Sequence, residues 1–191
     1  MSPPPTFNVV TRVPLPAYLV PEAVVAALHA YIPLIEANPH LQSYERRPIS
    51  LDEVVDDAFF RDDGHKLQAF RVHHRIPIIP GVGSWATKDV VVPCIFQSFE
   101  YGARCRADAQ AGVTVWSSYE VRPRGQVVGG EPPCPPTGAE PEGDFELVEV
   151  ATINCGSLVK PFVRRSLAGA HQEILQRVAD DVARSLMGQP I

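Results

Sequence analysis

Ser157–Leu186, SLVKPFVRRSLAGAHQEILQRVADDVARSL, decides how the rest of the chain must fold. Val159, Val163, Leu167, Ala170, Ile174, Val178 and Val182 recur at steps of three or four residues, which puts them on one stripe of a helix. Arg164, Arg165, Gln172, Glu173, Arg177 and Asp180 fall off that stripe, and His171 reads as a surface residue. A stripe of this length must lie on something apolar. Ala168-Gly169-Ala170 interrupts it with small residues, and glycine within a helix costs about 1 kcal/mol relative to alanine. Either another backbone approaches closely there, or the small side chains leave volume for a ligand. Lys160, Arg164 and Arg165 crowd the first turns, where the helix dipole disfavours cations; they read as a solvated basic face or as a docking face for a membrane or acidic partner.

What precedes the helix is nearly all strand-like. Asp144–Cys155 runs directly into it as the last strand. Further back, Lys66–Ile76, Thr87–Phe99, Ala103–Ala109 and Val113–Arg122 are β-branched stretches separated by turn signals at Pro80-Gly81-Val82-Gly83, Tyr101-Gly102 and Ala111-Gly112. These spacings predict an antiparallel meander. Phe7–Leu15 reads as a first strand whose flanking prolines suit an edge or an end, and Gln42–Ile49 as a short one. Between them Pro21-Glu22 opens a helix with Val24, Val25, Leu28, Ile32 and Ile35 inward, which Pro33 kinks or splits and Asn38-Pro39 stops. The acidic run Asp52, Glu53, Asp56, Asp57, Asp62 and Asp63 around Phe59-Phe60 reads as a loop or helical turn anchored by two phenylalanines, with a metal site as the sharper alternative. Residues 123–143 are too rich in Pro, Gly and Glu to fold alone and read as a mobile connection between the last two strands. The fold class is therefore α+β, with residues 1–191 as a single domain, since a layered domain requires the helices to cover one face of the sheet.

Composition narrows the function classes. The 191 residues carry a formal charge of −5, which offers no electrostatic footprint for nucleic acid. No basic-then-apolar leader and no run of about 18 uncharged apolar residues is present, so no integral membrane association is expected and the protein reads as cytoplasmic. The four widely spaced cysteines, Cys94, Cys105, Cys134 and Cys155, read as reduced thiols, and no histidine spacing suggests a metal.

The order strand, helix, strands, long helix resembles the helix-grip fold of the START-like superfamily, which includes polyketide cyclases, plant pathogenesis-related proteins and lipid-transfer domains. Three stretches look more narrowly like an uncharacterised fungal START-like family: TRVPLPAYLVPEAVVAALHAYIPLIEANP, IPGVGSWATKDVVV and INCGSLVKPFVRRSLAGAHQEIL. The resemblance implies a curved antiparallel sheet of about six to seven strands gripping the long helix, a shorter N-terminal helix, and a pocket between sheet and helix for a small hydrophobic molecule. It also implies chemistry without a cofactor: cyclisation, pericyclic or isomerisation steps on a polyketide- or terpenoid-derived substrate, or else plain carriage of a lipid or sterol. Whether such a protein is a monomer or a homodimer is left open.

Candidate residues follow from strand phase. Of His73 and His74, only His74 shares a face with Phe70, Val72 and Ile76. Inside an apolar pocket it would be neutral and able to accept a proton. On Val113–Arg122 one face carries Val115, Ser117, Tyr119 and Val121, the other Thr114, Trp116, Ser118, Glu120 and Arg122. The Tyr119 face should look inward, so Tyr119 could donate to a carbonyl or enolate; a one-residue slip would instead bring in Glu120 beside a stacking Trp116. His74, Tyr119 and Glu120 are thus the catalytic candidates. Phe70, Val72, Trp85, Cys94, Phe96, Arg104, Trp116, Phe162, Gly169 and Ala170 are the candidate pocket residues, with Arg104 exposed or turned inward onto a ligand anion. Cys94 reads as a small core residue. The glycine-hinged turn Ile78–Trp85 suits a lid over the pocket.

Overall fold

The computed structural model describes residues 6–77, 87–128, 130, 142–157 and 160–188. Seven strands form one sheet: β1 (Thr6–Pro16), β2 (Leu41–Arg47), β3 (Leu67–Pro77), β4 (Thr87–Phe99), β5 (Gly102–Ala109), β6 (Val113–Pro123) and β7 (Glu142–Asn154). Their order is β1-β7-β6-β5-β4-β3-β2, with every neighbouring pair antiparallel. The expected meander runs from β2 to β7, and β1 joins it at the far edge. Three helices complete the chain: α1 (Pro21–Ala30), α2 (Ile32–Glu36) and α3 (Lys160–Leu186). The Ile78–Trp85 turn, Trp85 itself and Cys134 lie outside the described residues, as does most of the 123–143 connection.

The first helix divides as Pro33 suggested, but the break falls earlier. Tyr31 separates α1 from α2 with φ 63° and ψ −35°, a conformation that side chains rarely adopt. Its ring is buried, stacks on Phe96 with 5.1 Å between centroids, and its hydroxyl meets the Ser98 Oγ at 2.7 Å. Those contacts hold the strained residue in place.

The helix-facing side of the sheet follows the alternation predicted for β6: Val115, Ser117, Tyr119 and Val121 are buried, and Trp116, Ser118, Glu120 and Arg122 point to the outer face. On β4, Val90, Val92, Cys94 and Phe96 face the helices, yet Ile95 and Gln97 behind them are equally buried. The cause is the acidic segment between β2 and β3, which straps the outer face. Asp57 accepts from Arg106 Nη1 at 2.7 Å and from Trp116 Nε1 at 3.3 Å, and Gln97 exchanges hydrogen bonds with the Arg61 backbone at 2.5 and 3.0 Å. Arg47 holds Glu53 with two bonds of 2.7 and 2.9 Å, and that hydrogen bonding draws the Glu53 carboxyl down to about 2. Phe59 and Phe60 pack against each other here. The acidic run is an anchored strap. Among the described residues no group of three or more His, Cys, Asp or Glu could hold a metal.

Burial grades along α3. Val163, Leu167 and Ala170 are half-buried, whereas Ile174, Leu175, Val178, Ala179 and Ala183 are fully buried. The C-terminal half joins α1, α2 and strands β3 to β6 in the main core. The N-terminal half meets a smaller cluster of Val115, Ala151, Ile153 and Cys155 with Phe7 and Val9. Among the described residues, no helix is long and apolar enough to cross a membrane.

Candidate functional site

Where the two apolar clusters meet, the helix-facing wall becomes polar. On β7 the alternation Leu147, Glu149, Ala151, Ile153 places Glu149 opposite Tyr119, with Ser117 one step along, opposite Ala151. Glu149 is fully buried. Its Oε2 lies 2.7 Å from Nδ1 of His171 on α3, whose side chain keeps 12% of its surface exposed. The helix stripe predicted His171 at the surface; instead it turns inward, one turn beyond Leu167 and one before Leu175.

The pair is charged. Burial alone pushes the Glu149 carboxyl up, but the His171 charge, the hydrogen bond from His171, and the Ser117 and Tyr119 hydroxyls outweigh it and bring the carboxyl below its ordinary range. Burial pushes the His171 imidazole down, and the attraction and hydrogen bond of Glu149 raise it above the ordinary histidine value. Nδ1–H then donates to Oε2. The other carboxylate oxygen, Oε1, is buried and finds no hydrogen-bond partner among the described residues. The Ser117 and Tyr119 hydroxyls stand near enough to stabilise the charge without a well-formed bond to that atom. Burial, followed by the Glu149 charge, raises the Tyr119 phenol well above its usual value, so it stays a neutral donor.

The remaining candidates are dispersed. His74 does face the helix side, paired with Leu41 and Val90, and is half-buried. Through the register, however, it sits eight residues along β4 from the row of Tyr119, about 25 Å away at the strand rise. His74 and the Tyr119–Glu149 pair cannot touch one small ligand. Burial, then the charges of His40 and His73, lowers His74 to about 4. In an NMR titration its ring signals are expected to move with a midpoint near pH 4. The unfolded chain binds that proton nearer its usual 6.5. Its contribution to stability is therefore intact above pH 6.5 and is lost as pH falls towards 4; a midpoint near 6.5 would contradict this placement.

Glu120, Trp116 and Arg104 stand on the outer face, which corrects the expectation that they could enter a helix–sheet pocket. Glu120 pairs with Arg122 Nε at 2.5 Å, Trp116 donates to Asp57, and the Arg104 guanidinium lies 4.7 Å from the Phe99 ring centroid. Phe70, Val72, Cys94 and Phe96 face the helices but are packed as core: Phe70 meets Tyr44 and Phe96 edge-on at 6.4 and 5.7 Å. Beside Cys94, the Cys105 thiol is raised well above its usual value by its hydrogen bond with Cys94 and by burial, so it remains protonated. Gly169 is exposed, and a Cβ built on it would meet nothing within 4 Å. Neither a close backbone nor a pocket explains the glycine. Ala170 is half-buried on the stripe, and the Phe162 side chain lies outside the described residues.

At one end of the sheet His74, Ile76, Ala107, Ala109 and Val113 face the helix side yet remain half-buried. Deeper in, Tyr119 keeps 8% of its surface exposed. Two surface clefts, about 280 Å³ beside Arg46 and Leu67 and about 330 Å³ between Leu15–Pro21 and Gly143–Phe145, lie away from the pair and are not lined by it.

A family model described as a domain of unknown function (DUF7053) matches residues 4–184. No curated protein matches the sequence significantly. Among solved structures, the chain is similar to the di-domain ARO/CYC BexL from the BE-7585A biosynthetic pathway: 13% identity, 92% of this chain and 49% of that one, TM-score 0.56. The di-domain ARO/CYC StfQ from the steffimycin biosynthetic pathway gives 12% identity, 96% and 52% coverage, and a TM-score of 0.55. The chain thus spans about half of each di-domain protein. TTHA0849 from Thermus thermophilus gives 13% identity, 95% and 99% coverage, and a TM-score of 0.52. At these identities the likeness establishes the fold alone, which is the helix-grip fold.

Proposed function

The chain belongs to the DUF7053 family, and from that premise we propose that it is a cofactor-independent enzyme acting on a hydrophobic, polyketide- or terpenoid-derived substrate held between the sheet and α3. The observation that carries this is the buried Glu149–His171 pair set beside Tyr119 on an otherwise apolar wall. An ionised carboxylate held away from water is placed to accept an acidic hydrogen of the substrate, and a neutral phenol next to it donates to the oxygen where negative charge develops. His171 holds the carboxylate in place and balances its charge. The likeness of the fold to two ARO/CYC structures from biosynthetic pathways supports a cyclase-type reaction.

Hydrogen exchange into a simple ketone tests this without knowledge of the substrate. Wild-type protein is expected to speed deuteration of the α-carbon of 2-tetralone in D2O, followed by proton NMR, by about 10²-fold or more over buffer. Tyr119→Phe should lower that rate at least tenfold with the fold retained by circular dichroism. If the ketone is retained in a native mass spectrum but exchanges no faster than in buffer, the enzyme reading fails. The protein is then a carrier of hydrophobic molecules, the second reading, which the half-buried apolar side chains of Ile76, Ala107, Ala109 and Val113 on the helix-facing wall favour.

A further inference from the structure

A fully buried carboxylate oxygen without a partner is costly, because an ionised group removed from water needs its hydrogen bonds replaced. Glu149 satisfies Oε2 through His171 and leaves Oε1 without a bond among the described residues. On the same face of the sheet the Ser117 and Tyr119 hydroxyls help to stabilise the charge, yet neither makes a hydrogen bond of good geometry to Oε1. The backbone of Glu149 is paired on both sides, with Thr11 of β1 and Tyr119 of β6, and its side chain projects to the helix side. The helix supplies one donor, and the ring nitrogen it offers is already engaged with Oε2. Protonation of the carboxyl would answer the need in another way, but the surroundings hold the group ionised.

We infer that the ligand completes this carboxylate: the molecule bound here carries a phenolic or enolic hydroxyl on an apolar ring system and donates it to Oε1 of Glu149. This names the substrate class of the proposed site and so rests on that reading. The chemistry of the neighbours fits such a ring. Tyr119, 8% exposed, offers an aromatic face and a neutral hydroxyl beside Glu149, and the wall continues into Cys105, Ala107 and Val115 with no further charge on the helix-facing side of β5 and β6. A ligand carboxylate or phosphate is disfavoured by the ionised Glu149. A hydroxyl of low pKa is the donor a carboxylate bonds best.

Three ligands of one shape separate the possibilities: naphthalene, 2-methoxynaphthalene and 2-naphthol, titrated at pH 6.5 against the wild type and Glu149→Gln by intrinsic fluorescence. Wild-type protein is expected to prefer 2-naphthol over both others by roughly 10- to 150-fold, the range for a hydrogen bond to a charged group. In Glu149→Gln that preference should shrink to a few-fold while 2-methoxynaphthalene binds as before. Equal wild-type affinities would overturn the inference and leave the apolar-ligand reading standing, Oε1 then being satisfied by water. A preference that survives in Glu149→Gln would also overturn it, placing the hydroxyl elsewhere. If none of the three binds at millimolar concentration, the ligand-binding reading itself falls, and this inference with it.

Discussion

Replacing His171 by alanine is expected to cost about 3–5 kcal/mol of unfolding free energy, the usual penalty for stripping one partner from a buried ion pair. Glu149 would remain on the helix-facing side of β7 with no cation and with only the Ser117 and Tyr119 hydroxyls to stabilise its charge. Urea denaturation should show the loss directly, and thermal melting should fall by roughly 10 °C for a chain of this size. The pair stabilises most where both members hold their charge in the folded and unfolded chains alike. The raised His171 contributes fully below about pH 6.5 and loses its contribution as pH rises through its folded value; the lowered Glu149 contributes fully above about pH 4.5 and loses its share as pH falls. The deficit of His171→Ala should accordingly be greatest between about pH 4.5 and 6.5. Changing both residues to leucine removes the charges together, and is expected to restore most of the stability. A loss under about 1 kcal/mol in the single variant would mean that Glu149 is protonated in the fold.

Gly102→Ala is the second large effect. A Cβ at this position would lie 1.8 Å from the Tyr119 carbonyl oxygen, 2.9 Å from its carbon and 3.1 Å from the Glu120 Cα. All three are backbone atoms, so no side chain can move aside. Relief requires parting β5 from β6 where Gly102 faces Glu120 and Ala103 faces Tyr119. The expected cost is about 3 kcal/mol or more, beyond ordinary overpacking. Because the displaced carbonyl belongs to Tyr119, affinity for aromatic ligands should fall along with stability. A variant as stable as the wild type in urea would show that the two strands are not held this close.

Most of the architecture could be read from local pattern. Strand β4 begins and ends where its β-branched run does, and the phase of β6 follows from setting Tyr119 with Val115 and Val121 against Glu120 and Arg122. The pair that organises the candidate site was harder to see, although both halves left a trace. Glu149 stands in alternation with Leu147, Ala151 and Ile153, a charge in the middle of an apolar face. Val148 and Val150 on the opposite side blur that alternation into a continuous apolar run. His171 lies four residues from both Leu167 and Leu175, but a stripe drawn through Ala170 and Ile174 alone passes beside it. A single strand or helix carries no record of its partner across the core, so the meeting of these two residues had to come from the fold. His74 and Glu120 show the reverse: chemically apt residues, one of them about 25 Å along the sheet from Tyr119 and the other on the outer face paired with Arg122.

The pairing of β1 with β7, Thr6 opposite Asn154, sets the order in which this protein can be finished. β1 leaves the ribosome before β7 and must wait for it, and until then its valines and Leu15 lack the strand they pair with. Strands β2 to β6 can assemble by neighbour-to-neighbour hairpins in the meantime. Glu149 and His171 are both absent from that partial sheet, so the nascent protein holds a wall without its charged pair. Folding dominated by so distant a contact is slow. The carboxylate is buried only in the closing step, when α3 settles on β1 and brings its counter-charge with it.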